Sequence, residues 1–247
     1  MNMDHLRVST ITSILKLSKN VELEKLYTGI PITDYIRFIE FGADNEPRGF
    51  SKKMLRKKRK KTKKKIFYNQ ATLHVFHDNK LMNVKMFNNG KVQITGLKKV
   101  DQAPVLISKL IQYLQDIEIF DDINILSHKL VLINSDFDIG YEVDRETLHR
   151  EIIEYGMYSS YEPCIYPGVN IKYYINTNNS NGICCCDDIC NGKGRGDGDG
   201  NCKKVTIAVF KSGKIIITGG QSLEQVQTAH DFIKRFMDER KDYFVLK

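Results

Sequence analysis

Two ten-residue strings, FNNGKVQITG at 87–96 and FKSGKIIITG at 210–219, lie 123 positions apart and agree at six places, including both glycines of each string, the lysine and the threonine. That period is far longer than the roughly 20–50 residues of a solenoid repeat. It implies a supersecondary unit copied once, giving two half-domains related by a pseudo-dyad and able to share one surface. Whatever the chain folds into must accommodate the same substructure twice.

The flanking patterns agree. In the first copy, strand-like segments at 11–17, 35–41, 71–76, 83–87 and 91–95 precede a change of period, and Asn89-Gly90 is a tight-hairpin signal. Beyond it Leu106, Ile107, Leu110, Ile111 and Leu114 recur at helical spacing, with Asp101 or a neighbour placed to cap. The second copy repeats this order: a strand at 130–133, a helix near 145–154, strands at 169–175, 205–210 and 214–218, then a helix opened by the capping box Ser222-Leu-Glu-Gln225. That last helix presents Val226, Ala229, Ile233 and Phe236 to a sheet. These patterns predict an α+β fold, antiparallel sheet on one side and helices on the other. Within 214–218, Ile215 and Ile217 point one way and Ile216 and Thr218 the other. Helices can cover only one of these apolar faces, so the second needs either a partner or another layer of core.

Among the 247 residues, 41% are hydrophobic and 28% charged, enough for one or two compact domains. No apolar run reaches the roughly 18 residues of a membrane span, and residues 1–17 lack the hydrophobic core of a secretion signal. The expectation is an intracellular protein without membrane association, whose six cysteines are reduced thiols or metal ligands. The net charge of +8 is local: residues 52–65 hold 11 of the 38 basic residues and no acid, leaving 27 against 30 acidic residues elsewhere, a net −3. Such a run is either a solvated or nuclear-import segment or an arm for nucleic-acid phosphates.

The paired FxxGKxxxTG strings, the closing helices, and Ser159-Ser-Tyr-Glu-Pro163 followed by Tyr166-Pro-Gly168 resemble the core of the TATA-box-binding proteins, in a diverged form such as large DNA viruses encode. The resemblance implies a pseudo-twofold saddle with a curved antiparallel sheet on the concave side and helices on the convex side. The first repeat would span 8–120 with a basic insert at 52–65, and the second 129–238 with a Cys- and Gly-rich insert at 177–203. It further implies a transcription initiation factor that binds double-stranded DNA in the minor groove at A/T-rich promoters, bends it, and recruits a TFIIB-like factor and the RNA polymerase machinery. Such a protein works as a monomer on DNA, with dimerisation open when free, in the nucleus or, for a viral protein, in a cytoplasmic viral factory or virion.

The same resemblance assigns residues. Phe87 and Phe210 match one wedge of each intercalating pair; Tyr166 and, by internal alignment, Tyr68 match the other, with Phe67 competing for the Tyr68 place. Thr95 and Thr218 match groove threonines, Ile216 an apolar groove residue, and Lys91 and Lys214 lysines near the phosphate backbone. Gln93 replaces a groove valine, and the paired asparagines near the pseudo-dyad fall at Thr10 and at Leu132 or Asn134, departures that bear on base preference. Glu162 matches an acidic docking residue for the next initiation factor, with Cys164 and Ile165 beside it. The basic run falls in the first stirrup loop, where gripping flanking phosphates is its expected use.

Five cysteines cluster at 184–202, of which Cys184, Cys186, Cys190 and Cys202 can supply the four thiolates of a zinc site; the alternative is an insert with incidental thiols. The resemblance itself requires no cofactor. Gly192 to Gly200 lacks the Lys-Ser/Thr of a phosphate-binding loop, and the histidines show no catalytic spacing, so the expected protein is not an enzyme. Two other readings stay open: a saddle-shaped protein-interaction module, and an architectural DNA binder indifferent to sequence.

Overall fold

The computed structural model describes residues 6–42, 45–51, 67–178 and 180–246; the basic run at 52–65 lies outside the described residues. The chain divides into two compact units, residues 11–131 and residues 1–10 with 132–247.

The first unit contains β1 (Arg7–Leu17, whose first four residues belong to the other unit), α1 (Leu23–Gly29), β2 (Ile36–Phe41), β3 (Arg48–Gly49), β4 (Gln70–His77), β5 (Lys80–Phe87), β6 (Lys91–Leu97) and α2 (Gln102–Asp116). Its strands are ordered β3-β2-β4-β5-β6-β1, with antiparallel pairing throughout. The second unit holds the second half of β7 (Ile125–Asp138), then α3 (Arg145–Glu154), β8 (Tyr158–Ser160), β9 (Val169–Ile175), β10 (Lys203–Val209), β11 (Lys214–Gly220), α4 (Leu223–Glu239) and α5 (Lys241–Phe244). Its order is β7-β11-β10-β9-β8, again antiparallel. Each unit is α+β, as the alternation of periods predicts.

Alternation along the strands places the core. In β4, Ala71, Leu73 and Val75 are buried while Thr72, His74 and Phe76 are half-buried; in β11, Ile215 and Ile217 are fully buried while Ile216 and Thr218 keep part of their surface exposed. The helices seal the buried face, α2 with Leu106, Ile107, Leu110 and Leu114, and α4 with Val226, Ala229, Ile233 and Phe236. A fully buried isoleucine or leucine contributes about 1.5–3 kcal/mol, so the helix stripe and its facing strand side supply most of each unit's stability. The two-faced strand at 214–218 is thus covered on one side, and its other side belongs to an open sheet face among the described residues.

The 123-residue offset persists in detail. Gly90 and Gly213 both have left-handed φ, +74° and +80°, and each amide donates to the carbonyl of the phenylalanine three residues earlier, Phe87 at 2.9 Å and Phe210 at 3.0 Å. A Cβ on either would lie 2.3 Å from a backbone oxygen, of Lys19 and of Tyr141 respectively, so only glycine fits. Gln102 and Gln225 are also 123 apart, and each side-chain carbonyl accepts the amide four residues earlier, of Lys98 and of Gln221, at 2.8 Å. This corrects two capping expectations. Asp101 makes no side-chain cap bond, and Gln225 reaches past Ser222 to Gln221, although Ser222 Oγ does accept the Gln225 amide at 3.2 Å. Gln102 then donates to Asp78 in the β4–β5 turn, and Gln225 to the Arg195 carbonyl in the β9–β10 connection. One glutamine per unit thereby ties a hairpin end to a helix start.

The two hairpin ends differ. Asp78 and Asn79 take φ of +47° and +57°, a two-residue turn with both residues left-handed, which Asp and Asn tolerate. At the corresponding place the second unit carries the cysteine-rich insert. Elements missing from the sequence reading, α1, β3, β8 and α5, are all seven residues or shorter, too short to display a period.

Candidate nucleic-acid interface

In the first unit the open sheet face is set by register. Thr95 of β6 stands between Thr12 of β1 and Asn83 of β5, Gln93 between Ile14 and Lys85, and Lys91 opposite Lys16. Phe87 ends β5 opposite Gln70. Tyr68 and Phe67 precede β4 and are 70% and 56% exposed, so either ring is free to move, and the choice between them stays open. Six of the predicted positions in this unit, counting both aromatics, thus gather on one face or its margin.

The second unit repeats the pattern with a more apolar centre. Thr218 is opposite Thr206, Ile216 stands between Ala208 and Asp136, and Lys214 pairs with Asp138. At the end of β10, the rings of Phe210 and Tyr166 meet at a centroid distance of 5.7 Å and 59°. Gly168 makes this possible: a Cβ there would lie 2.9 Å from Tyr166 Cε1 and 3.2 Å from Phe210 Cε1. Tyr166 itself comes from a turn in which the Glu162 carbonyl accepts both the Ile165 and Tyr166 amides at 2.9 Å. Arg145 fixes the same loop, its guanidinium 5.2 Å from the Tyr161 ring centroid and bonded to the Pro167 carbonyl. Glu162, Cys164 and Ile165 are exposed on this turn, Ile165 by 80%.

Register also reveals residues that the sequence reading missed. Asn83 and Lys85 in the first unit, and Asn170, Lys172, Lys204 and Thr206 in the second, stand on the open faces. The signal was the alternation of 205–210, which puts Thr206, Ala208 and Phe210 on one side, but pairing was needed to bring Asn170 and Lys172 beside them. Lys172 Nζ donates to Thr206 Oγ1 at 3.0 Å, and burial, with the nearby Lys204 charge, holds its amine below the usual lysine range.

Carboxylates modify the face. Arg7 grips Asp136 at 2.7 and 3.1 Å and offsets its charge beside Ile216. Asp138 accepts the Gly140 amide at 2.9 Å and sits opposite Lys214. Of the candidates for the paired asparagines, Thr10 and Leu132 are half-buried, and Asn134 Oδ1 has no hydrogen-bond partner among the described residues although the Asn134 backbone carbonyl accepts Ser9 Oγ at 2.9 Å.

At the opposite end of β9 from Tyr166, the sulfur atoms of Cys184, Cys186, Cys190 and Cys202 all lie within 4.8 Å of one another, the four predicted from sequence. Cys185 is exposed and outside the group. No helix among the described residues is long and apolar enough to cross a membrane.

Comparison with known proteins agrees with this arrangement. Residues 128–239 match the family model for transcription factor TFIID, or TATA-binding protein. A TATA-box-binding protein-like protein of Acanthamoeba polyphaga mimivirus is 30% identical over 96% of this chain, which spans 66% of that protein. The TATA-box-binding protein of Methanocaldococcus jannaschii is 28% identical over 64% of the chain and 67% of its own length. The solved structure of Methanococcus jannaschii TBP superimposes with a TM-score of 0.56 at 19% identity, covering 96% of this chain and 99% of that one. With the duplicated FxxGKxxxTG hairpins and the antiparallel α+β fold, these matches place the chain in the TATA-binding protein family, as a diverged member.

Proposed function

We propose that this protein is a non-enzymatic transcription initiation factor that binds A/T-rich promoter DNA in the minor groove, bends it, and recruits a TFIIB-like factor. The observation that carries the reading is the Tyr166–Phe210 ring pair seated on Gly168 at the margin of an open face bearing Ile216, Thr218, Thr206 and Ala208. Two adjacent rings at a sheet margin suit insertion between base pairs, where unstacking costs a few kcal/mol and the bend returns contact area. Small apolar and hydroxyl side chains suit A·T pairs, whose minor-groove edges carry only acceptors and lack the guanine amino group.

In the other repeat Phe87, with Tyr68 or Phe67, takes the wedge role, and Gln93 and Thr95 face the bases. Lys91 and Lys214 contact phosphates. The two repeats span 8–120 and 129–238, and the exposed turn of Glu162, Cys164 and Ile165 receives the TFIIB-like partner. Residues 52–65 supply further phosphate contacts. The factor acts as a monomer on DNA, in the nucleus or in a viral factory.

The test is energy transfer across end-labelled duplexes, A/T-rich against G/C-rich, through a salt series. The expected result is end-to-end shortening selective for A/T sequence, with a salt slope that flattens when 52–65 is deleted. Asp136, Asp138 and Gln93 on the open faces favour a second reading, a protein-interaction module of the same fold. Absence of binding to every duplex, with retained capture of an initiation factor, would establish that alternative.

A further inference from the structure

The β9–β10 connection, residues 176–202, has a fold that its composition does not explain. It is rich in Gly, Asp and Asn, and of its two isoleucines Ile189 is fully exposed. A segment of this kind buries too little apolar surface to offset the entropy of ordering. Four of its sulfur atoms gather together, with Cys202 completely inaccessible, Cys184, Cys186 and Cys190 half-buried, and Cys186 Sγ and Cys184 Sγ at 3.3 and 3.8 Å from Cys202 Sγ.

We propose that Cys184, Cys186, Cys190 and Cys202 hold a structural zinc ion in a closed four-thiolate site. A tetrahedron with Zn–S bonds of about 2.3 Å sets the sulfur atoms about 3.8 Å apart. The observed group, entirely within 4.8 Å, needs only small side-chain adjustments to reach it. Neutral thiols gain little from such crowding, whereas a divalent cation makes it favourable. The surroundings also suit thiolates. Asn176 Nδ2 donates to Cys202 Sγ at 3.1 Å. Amide donors around metal-bound sulfur disperse its charge and orient the ligands.

The ion has a defined mechanical place. The insert carries the Arg195 carbonyl that accepts from Gln225 at the start of α4, the contact that Asp78 provides in the first unit with a two-residue turn. Zinc would thus turn an otherwise coreless loop into a rigid hairpin end fixed to the helix.

The full chain, purified without chelator under reducing conditions, is assayed for metal by mass spectrometry and for thiols after denaturation. One zinc per chain is expected, falling below about a tenth in Cys186→Ser and Cys190→Ser and unchanged in Cys185→Ser, which lies outside the group. Cobalt titration of the reduced wild-type chain should give the visible bands of tetrahedral thiolate coordination, a readout independent of whether the variants fold. Less than a tenth of an equivalent of zinc together with no cobalt bands, zinc retained in Cys186→Ser and Cys190→Ser, or oxidised cluster thiols without metal would each overturn the assignment.

Discussion

Gly168→Ala separates ring geometry from ring chemistry in the second unit. The added methyl would sit 2.9 Å from Tyr166 Cε1, 3.2 Å from Phe210 Cε1 and 3.4 Å from Phe210 Cζ. Carbon atoms pack best at about 3.5–4.0 Å, so the Tyr166 contact is too close by about 0.6 Å or more. Tyr166 is 38% exposed and its ring can swing outward, while Phe210 at the end of β10 is more constrained. Overpacking relieved in this way costs about 1 kcal/mol, a drop of roughly 2–4 °C in Tm for a chain of this size. The ring pair itself, worth about 0.5–1.5 kcal/mol beyond burial, would be lost. If the pair is preorganised for insertion, affinity for A/T-rich duplex falls roughly two- to tenfold, with a smaller bend, while the melting curve stays cooperative. Energy transfer and a thermal melt measure both quantities on one sample, with Phe210→Ala as the reference for complete loss of that wedge. Unchanged bending in Gly168→Ala with reduced bending in Phe210→Ala would refute preorganisation; unchanged bending in both would remove the rings from the interface.

Two further outcomes concern the scaffold. Gly213→Ala, which combines a left-handed φ of +80° with a Cβ 2.3 Å from the Tyr141 oxygen, should cost about 2 kcal/mol or more, whereas Gly140→Ala, at the same φ with nothing within 4 Å, should cost about 1–2 kcal/mol; denaturant melts compare them. Asp144 caps α3, and the Thr147 hydroxyl at 2.9 Å, joined by the Glu146 and Thr147 amides, holds its carboxyl below the usual carboxylate range despite partial desolvation. Because the folded form binds its proton less readily, this contribution is complete above the unfolded pKa and fades as pH falls through the lower folded value. Asp144→Ala should cost about 1 kcal/mol at neutral pH, and the gap to wild type should narrow below about pH 4 in acid melts.

Periodicity carried the fold class and much of its element order, because long strands and helices print their burial into spacing. Residues 145–154 and 169–175 coincide with α3 and β9, and the stripes of α2 and α4 are buried as their intervals imply. The four metal-candidate cysteines were also legible, since residues close in sequence on a flexible loop can converge without help from the rest of the fold. Local signals alone did not reveal α1 or the two-residue Asp78-Asn79 turn.

The duplicated string, the two apolar faces of β11 and the charge concentrated at 52–65 are thus properties of the sequence by itself, fixed by repetition, alternation and composition, whereas which of those faces is covered was decided by the fold. Only tertiary structure could decide that Lys172 lies beside Thr206, that Arg7 offsets Asp136 next to Ile216, and that Gly168 seats Tyr166 against Phe210. Each of these joins strands or turns through pairing register and side-chain packing. One residue of slip would move a strand's side chains to the other face, and no local spacing records which register the assembled sheet selects.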